Sequence, residues 1–503
     1  MTALPHTRRA GAGGPPVARI PFPTVDEVSR HCAQDEEPET VLIEVHLPGR
    51  PEPGRLRDAF GEALRRHPRI LMRQAPGHRF ARRYHWELTG DADVDPVHFP
   101  PPGPDALDEA RARALSACPP LSLSPPVRLD VITPATDGGG CVLLLTINHT
   151  ALDGPACLRV LATAAELYGG ADNSPAPPPV RPPGTGRSAP AGTPVPADAP
   201  GGTGWARPAR VAADARTAGT GNGLLLAELP VPRRAPRGTG GGPGYTVNDQ
   251  LLVSTALTVA RWNLLHGRPT GPIRITMPVD DRTRGARMPI GNGTRLVDVA
   301  VCPEDRADEE LLSTERPDPE AVARLLRRTA LRTRALKAVS RPPLGRGAAL
   351  LTAPVLPVAA RAALTRRLRR AVAPWTSTTL VSNIGRIPYP MDFGDAGRAQ
   401  AVWFSAPARM PRGLTVTTAS TGGRLHVALR WSRALLDDDA AAAVGRLFAQ
   451  SLEVTSAVTS EATPEAPWPE TTPSKTTPSG TTSPETTSEA TATSPETAPG
   501  GAG

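Results

Sequence analysis

The first third of the chain alternates patterns that are typical of strands and helices. Residues 41–47 (VLIEVHL) alternate apolar and polar side chains, which predicts a strand with one buried face. Apolar positions in residues 54–71 recur at helical spacing up to a His-Pro pair, where a helix is expected to end. Residues 141–147 (CVLLLTI) are almost entirely apolar, which predicts a fully buried strand, and residues 154–170 predict an amphipathic helix closed by two glycines.

A second block of elements begins near Tyr245. Residues 246–267 predict a long helix, with Asn248 or Asp249 available to cap its first amides. Strands are expected at 272–279, 294–301, 378–385, 401–407, 413–421 and 424–432, basic helices between residues 320 and 370, and a last helix at 437–453. Because strands and helices mix in both blocks, the sequence predicts an α/β architecture in two parts.

Two stretches have a composition that does not favour a packed core. Residues 171–244 are rich in Pro and Gly and are interpreted as a linker or crossover, partly disordered. Residues 455–503 consist almost entirely of Thr, Ser, Pro, Glu, Ala and Gly and are expected to be disordered. The expected domains are therefore residues 1–170 and 245–454, separated by the linker and followed by the tail.

The net charge of +8 is unevenly distributed along the 503 residues. The tail carries six glutamates and one lysine, so the rest of the chain is close to +13. Many arginines lie between residues 324 and 370, either as a solvated helix face or as a surface for phosphates or acidic proteins. A nucleic-acid partner is not expected, since aromatic residues make up only 4% and no recognition motif is present.

The five cysteines are scattered, and no Cys or His pair has metal-ligand spacing. The sequence therefore predicts no metal site and no disulfide framework. The N-terminus has no apolar signal segment, and the longest apolar run (348–360) is too short to cross a bilayer. These features predict a cytoplasmic protein with no transmembrane segment.

The candidate chemistry lies where the buried strand at 141–147 ends. His149 follows that strand, Asp153 comes four residues later, and Gly154 allows a tight turn into the next helix. Strand ends are places where a rigid scaffold presents reactive groups, and a neutral histidine can take a proton from a hydroxyl or amine. A purely structural strand-end histidine is the alternative.

The segment NHTALDG (148–154) resembles the HHxxxDG motif of the chloramphenicol-acetyltransferase-like superfamily. That superfamily includes nonribosomal peptide condensation domains, polyketide-associated acyltransferases, wax ester synthase/diacylglycerol acyltransferases and plant BAHD enzymes. The resemblance extends over most of the chain between Thr40 and Glu453. Other similar segments occur in the family's order: RLRDAFGEALRRHPRIL, LSLSPPVRLDVI, TVNDQLLVSTALTVARW, MPVDDR, VSNIG and MDFGDAG.

The resemblance implies two lobes, each a mixed sheet with helices, arranged in a V with an active-site tunnel between them. His149 is then the general base on the acceptor, and no covalent acyl-enzyme is needed. Asp153 is similar to the family aspartate that forms a structural salt bridge, with Arg282 as the candidate partner. The backbone N–H of Gly154 is a candidate donor to the oxyanion.

The sequence departs from the family pattern at two motifs. Asn148 replaces the first motif histidine, and it is a candidate residue for contacting the substrate or lining the tunnel. Ser382 and Asn383 in VSNIG are expected either to line the tunnel or to form a strand-end turn. DFGDAG lacks the tryptophan of the plant motif, so Asp392 and Gly394 are expected to support the fold rather than to react.

The function implied is that of a free-standing acyltransferase of the condensation-domain type. Its donor is expected to be a thioester on coenzyme A or on a separate acyl or peptidyl carrier protein, and its acceptor a hydroxyl or an amine. No bound cofactor is expected, and the protein is expected to be a monomer. The alternatives are a wax ester synthase/diacylglycerol acyltransferase and a non-catalytic, condensation-like recruitment module.

Overall fold

The computed structural model describes residues 18–134, 139–176, 206–214, 219–233, 244–268, 271–282, 288–301, 306–314, 317–339 and 345–461. The elements before residue 200 are β1 (Ala18–Pro21), α1 (Thr24–Cys32), β2 (Thr40–Leu47), α2 (Pro53–Arg66), β3 (Met72–Gln74), β4 (His85–Leu88), β5 (Val97–His98), α3 (Ala106–Ser116), β6 (Val127–Ile132), β7 (Cys141–Asn148) and α4 (Gly154–Gly169). The later elements are β8 (Asn222–Pro230), α5 (Val247–Leu265), β9 (Ile273–Asp280), β10 (Thr294–Val301), α6 (Arg306–Ser313), α7 (Pro319–Ala338), α8 (Gly345–Leu351), α9 (Val358–Val372), β11 (Thr379–Arg386), β12 (Ala401–Ser405), β13 (Leu414–Thr421), β14 (Arg424–Ser432) and α10 (Asp438–Glu461).

These elements form two mixed sheets, each with its own hydrophobic core. The first sheet has the strand order β12-β2-β7-β6-β5, and the second has the order β10-β9-β11-β13-β14-β8. A three-stranded sheet, β1-β4-β3, packs into the core of the first. We call residues 18–176 with 387–405 the first lobe, and the other described residues from 206 onward the second lobe. The predicted α/β fold of two lobes is confirmed.

The central strand of the first lobe is β7, and every one of its residues is buried. Helices α2 and α4 cover one face of the sheet and α3 covers the other, so the apolar run in β7 has apolar neighbours on both sides. The neighbouring strand β2 is also buried on both faces, although its alternation predicted one exposed face. Its Glu44 can be buried because Arg111 of α3 donates to it at 2.6 Å.

The second lobe has α5, α7 and α10 packed together against its sheet. The cap of helix α5 lies two residues before Asn248 and three before Asp249, so neither predicted residue is the cap. Thr246 is the cap residue, and Asp249 completes a capping box by accepting from the Thr246 amide at 2.8 Å. Asn248 has a different contact, because its amide lies 3.1 Å from the sulfur of Met277.

The expected domain boundaries need three corrections. Strand β8 lies inside the predicted linker and pairs with β14 of the second sheet. Residues 387–405 leave the second sheet after β11, pack into the first core and contribute β12, which pairs with β2. Helix α10 continues past the expected start of the tail, with Thr455 and Val458 buried. Linker residues 177–205, 215–218 and 234–243 and tail residues 462–503 lie outside the described residues.

Among the described residues, every helix is either too short or too polar to cross a membrane.

Candidate functional site

His149 lies in the turn between β7 and α4, at the edge of a cavity. Its backbone amide donates to the carbonyl of Glu39 at 2.8 Å, which continues the pairing of β7 with β2. Its ring nitrogen Nδ1 lies 3.0 Å from the carbonyl oxygen of Leu152. Because a carbonyl oxygen only accepts, Nδ1 carries the proton in the neutral ring, and Nε2 is left as a proton acceptor. The half-buried side chain lines the cavity.

Asn148 lies next to His149 but faces elsewhere. Its buried amide donates to the carbonyl of Pro119 at 2.9 Å and accepts from the amide of Thr150 at 3.1 Å. It is not among the residues that line the cavity with His149. Successive strand residues point to opposite faces, and the side chain of Asn148 holds the turn. That Asn148 contacts substrate stays a prediction.

Asp153 fixes the other end of the same turn. One carboxylate oxygen accepts from the amide of Ala156 at 3.0 Å and so caps α4. The other accepts from Arg282 at 2.7 Å and from the amide of Gly293 at 2.9 Å, both in the second lobe. The turn that carries His149 is thus bound directly to the segment between β9 and β10.

Arg282, the partner expected for Asp153, also binds Asp280. Its Nε donates to Asp280 at 2.8 Å, and its Nη1 donates to the carbonyls of Pro289 and Gly291. Burial opposes the charge of Arg282, but the hydrogen bond to Asp280 and the charge of Asp153 outweigh it and raise the pKa of Arg282. The guanidinium is thereby held as a charged bridge between the lobes.

Gly154 begins α4 in a tightly packed space. A Cβ at this position would lie 3.1 Å from a ring carbon of Phe404, a residue of β12. The close approach of β12 to the start of α4 therefore favours glycine here, because a larger side chain would displace the Phe404 ring. Gly154 also lines the cavity, as the expectation for an oxyanion donor requires.

The cavity has a volume of about 720 Å³ and lies between the two lobes. The first lobe contributes α1, the start of β2 and the His149 turn, and the second contributes β9, β11 and the residues after 405. Ser382 and Asn383 of β11 line it, as one of their two expected roles requires. Asn383 also accepts from the amide of Gly385 at 2.8 Å, at a bulge in the pairing of β11 with β13.

Arginines line the part of the cavity next to α9. Arg409 is paired with Glu39, whereas neither Arg369 nor Arg412 has an ion pair with a described residue. Arg412 donates to the hydroxyls of Ser377 at 2.9 Å and of Thr276 at 3.2 Å. Burial lowers the pKa of Arg412 to about 10, so its guanidinium is still charged at neutral pH.

Two residues of the site lie outside every sequence motif. Asp26 of α1 and Asn292 of the β9–β10 segment are hydrogen-bonded to each other at 3.0 Å. Burial raises the pKa of Asp26 to about 6. The glycines on both sides of Asn292 mark a turn in the sequence, but nothing local indicates which residues that turn contacts.

Asp392 and Gly394 lie away from the site. Gly394 packs against Gly169 at the C-terminal end of α4, and Asp392 accepts from the amide of Gly394 at 2.9 Å. His149 precedes the N-terminal end of the same helix. A helix of 16 residues is about 24 Å long. These two residues are therefore too far away to take part in chemistry at His149.

The described residues contain no group of three or more His, Cys, Asp or Glu arranged to hold a metal ion.

Comparisons with known proteins place the fold. No family model matches the chain. Two curated proteins of Mycobacterium tuberculosis, uncharacterized protein Rv2305 (strain H37Rv) and uncharacterized protein MT2362 (strain CDC 1551), are each 26% identical to it over 431 residues. The matched residues make up 82% of this chain and 94% of each relative.

Solved structures with the same architecture include the trichothecene 15-O-acetyltransferase TRI3 of Fusarium sporotrichioides, with 11% identity, TM-score 0.57 and coverage of 88% and 95% of the two chains. The condensation domain of the monacolin K polyketide synthase MokA has 13% identity, TM-score 0.57 and coverage of 89% and 98%. The starter condensation domain of rhizomide synthetase, solved with C8-CoA and Leu-SNAC, has 12% identity, TM-score 0.54 and coverage of 86% and 92%. The chain has the two-lobed fold of condensation domains and of this acetyltransferase.

Proposed function

We propose that the protein is a condensation-like acyltransferase that moves an acyl group from a thioester to a hydroxyl or amine. The observation that carries the proposal is the bond from His149 Nδ1 to Leu152, which leaves Nε2 as a base on a histidine that lines the cavity between the lobes. A base placed within reach of both substrates is the group that such a transfer needs.

The proposed reaction needs no covalent bond to the protein. Nε2 of His149 accepts the proton of the acceptor, whose oxygen or nitrogen attacks the thioester carbonyl. The tetrahedral oxyanion is stabilised by the amide of Gly154. Collapse of the tetrahedral intermediate breaks the carbon–sulfur bond, and the departing thiolate takes the proton from His149. The products are the ester or amide and the free thiol.

The donor is proposed to be an acyl group on coenzyme A or on a carrier protein, which share a phosphopantetheine arm. Arg369 and Arg412 support this, because both line the cavity and neither has an ion pair with a described residue. A solved structural neighbour is in complex with C8-CoA, a donor of this class. A cavity of about 720 Å³ is within the range that encloses a small ligand.

The test is acceptor-dependent release of free thiol from acyl-CoA and acyl-carrier donors of increasing chain length. Wild-type protein should release thiol only when both substrates are present, and its intact mass should show no acyl adduct. We expect His149→Ala to lose about 10²–10⁴-fold in turnover. His78→Ala, which removes an exposed histidine outside the cavity, should retain full turnover.

The alternative functions give different results in the same assay. Turnover only with long acyl chains and lipid alcohols would favour a wax ester synthase. No turnover with any pair, in a folded protein that still binds a carrier, would favour a recruitment module. Equal turnover of His149→Ala and wild type would contradict the base assignment.

A further inference from the structure

The segment between β9 and β10 contacts the His149 turn at both of its ends. At the far end, Arg282 and the Gly293 amide bind Asp153. At the near end, the side chain of Asn292 reaches the backbone of His149 and Thr150. The near-end contact involves no motif residue of the second lobe, so its role is not implied by the Asp153 salt bridge.

The amide nitrogen of Asn292 has three acceptors around it. It lies 3.0 Å from Asp26 Oδ1, 3.2 Å from the carbonyl of His149 and 3.0 Å from the carbonyl of Thr150. None of these oxygens can donate when Asp26 is ionised, so the orientation of the amide is determined by its partners. Its two hydrogens are shared among the three.

The other atom of the same amide has no such support. Asn292 Oδ1 is buried and has no hydrogen-bond partner among the described residues. A buried acceptor without a partner gives up its hydrogen bonds to water and gains none in return. Asn292 therefore makes its side-chain hydrogen bonds with described residues through its amide nitrogen, which contacts Asp26 and the backbone of the His149 turn.

Asp26 anchors this contact to the core of the first lobe. Its second oxygen accepts from the indole nitrogen of Trp86 at 2.8 Å, and Trp86 is fully buried and stacked on Phe22. The indole N–H can only donate, so Asp26 is held in place as an acceptor. A continuous series of hydrogen bonds thus joins Trp86, Asp26, Asn292 and the carbonyl of His149.

We propose that Asn292 is a positioning residue that sets the place of the His149 base by holding the carbonyls of His149 and Thr150. The inference rests on the proposed function, since it assigns Asn292 to that reaction. It differs from the role of Asp153, because it acts on the residue that carries the base and not on the cap of α4. Asn292 itself is not expected to touch the reacting atoms.

The expected kinetic effect lies in the chemical step. A displacement of the base by about 1 Å can cost roughly 10²-fold in rate. Asn292→Ala should therefore lower kcat about 10–100-fold and leave the KM for the donor nearly unchanged. Asn292→Asp has the same shape but offers oxygens to three acceptors, so it should lower kcat further than Asn292→Ala does.

The matched control is Asn263→Ala in α5. Asn263 is also buried, accepts from Ala212 at 2.8 Å and donates to Arg210 at 2.8 Å, all within the second lobe. The Asn263→Ala substitution should lower the melting temperature of the protein and leave kcat unchanged. The proposal is overturned if Asn292→Ala and Asn292→Asp keep the wild-type kcat, or if they lose activity only in proportion to lost folded protein, as the control would.

A spectroscopic readout separates this inference from the proposed reaction. In protein labelled with ¹⁵N-histidine, the ring signals of His149, assigned with His149→Ala, should show a protonated Nδ1 and an unprotonated Nε2. They should change in both Asn292 variants and remain unchanged in Asn263→Ala. If wild type transfers no acyl group, the proposed function fails, yet changed His149 signals would still support positioning by Asn292. Unchanged signals in both variants would overturn it.

Discussion

Strands β7 and β11 are both interior strands of their sheets, and both reach the cavity, but they contribute differently to it. β7 of the first lobe delivers His149, with its Nδ1 bound to Leu152. β11 of the second lobe delivers Ser382 and Asn383, and Asn383 is used to hold the local bulge. The first lobe thus carries the proposed base. The second lobe contributes the groups that hold it, namely Arg282, Asn292 and Gly293.

The largest effect on stability is expected from breaking the ion pair between the lobes. Arg282→Ala leaves Asp153 and Asp280 buried without their cation, since the side chains in the Arg282–Asp153 pair are only 11% and 3% exposed. The free energy of unfolding should fall by about 3–5 kcal/mol, measured by urea denaturation, and turnover should fall with it.

The control for this change is Arg424→Ala within the second lobe. Its pair with Glu228 is 49% and 43% exposed, so the loss should be below about 1 kcal/mol. A fully stable Arg282→Ala with normal turnover would contradict the division of roles between the lobes.

A smaller effect should appear in the pH dependence of stability, through Asp26. Its folded pKa of about 6 is above the ordinary value of 3.8, so the folded state binds more protons between these values. The contribution of Asp26 to the free energy of unfolding therefore falls as pH rises through this window, by about 3 kcal/mol in total. Above the window this contribution stays constant.

His31 opposes this trend. Burial lowers its pKa to about 4, so its contribution to stability is present above pH 6.5 and is lost as pH falls toward 4. The Asp26 effect is isolated by subtracting the wild-type stability curve from that of Asp26→Asn. The free energy of unfolding of Asp26→Asn relative to that of wild type should rise between pH 4 and pH 7. Parallel curves would show that Asp26 does not titrate in this window.

The smallest effect is expected at Gly154, where the first lobe is tightly packed. Gly154→Ala places a Cβ about 3.1 Å from the Phe404 ring, which must move. The expected loss is about 1–2 kcal/mol by thermal denaturation. Gly61→Ala, in α2 with only the Arg65 guanidinium at 3.9 Å, should gain roughly 0.5–1 kcal/mol. Equal shifts at both sites would mean that packing at Gly154 is looser than described.

The part of the first lobe from β7 to α4 could be predicted from the sequence because its signals are local, whereas β1, α1, β3, β4, β5 and α3 were not predicted. The apolar run of β7, the His149 turn and α4 follow one another, and periodicity together with glycine positions is enough to place them. Arg282 was expected through family resemblance, not through any local pattern.

What could not be predicted depends on distant partners. Alternation in residues 401–407 indicates a strand but not that β12 pairs with β2 of the other lobe. Strand β8 lies in a stretch whose Pro and Gly content conceals it. Asn292 contacts residues 142 and 143 positions away, so its contact with the His149 turn has no signature in the sequence around it.

In the proposed reaction His149 supplies the base, and the second lobe only holds that base in place. Chemical rescue tests it most directly, through acceptor-dependent thiol release by His149→Ala with and without added imidazole. Imidazole should restore part of the lost turnover, in proportion to its unprotonated fraction, and should not restore Arg282→Ala. Wild-type turnover in His149→Ala, or equal rescue of both variants by imidazole, would contradict the claim.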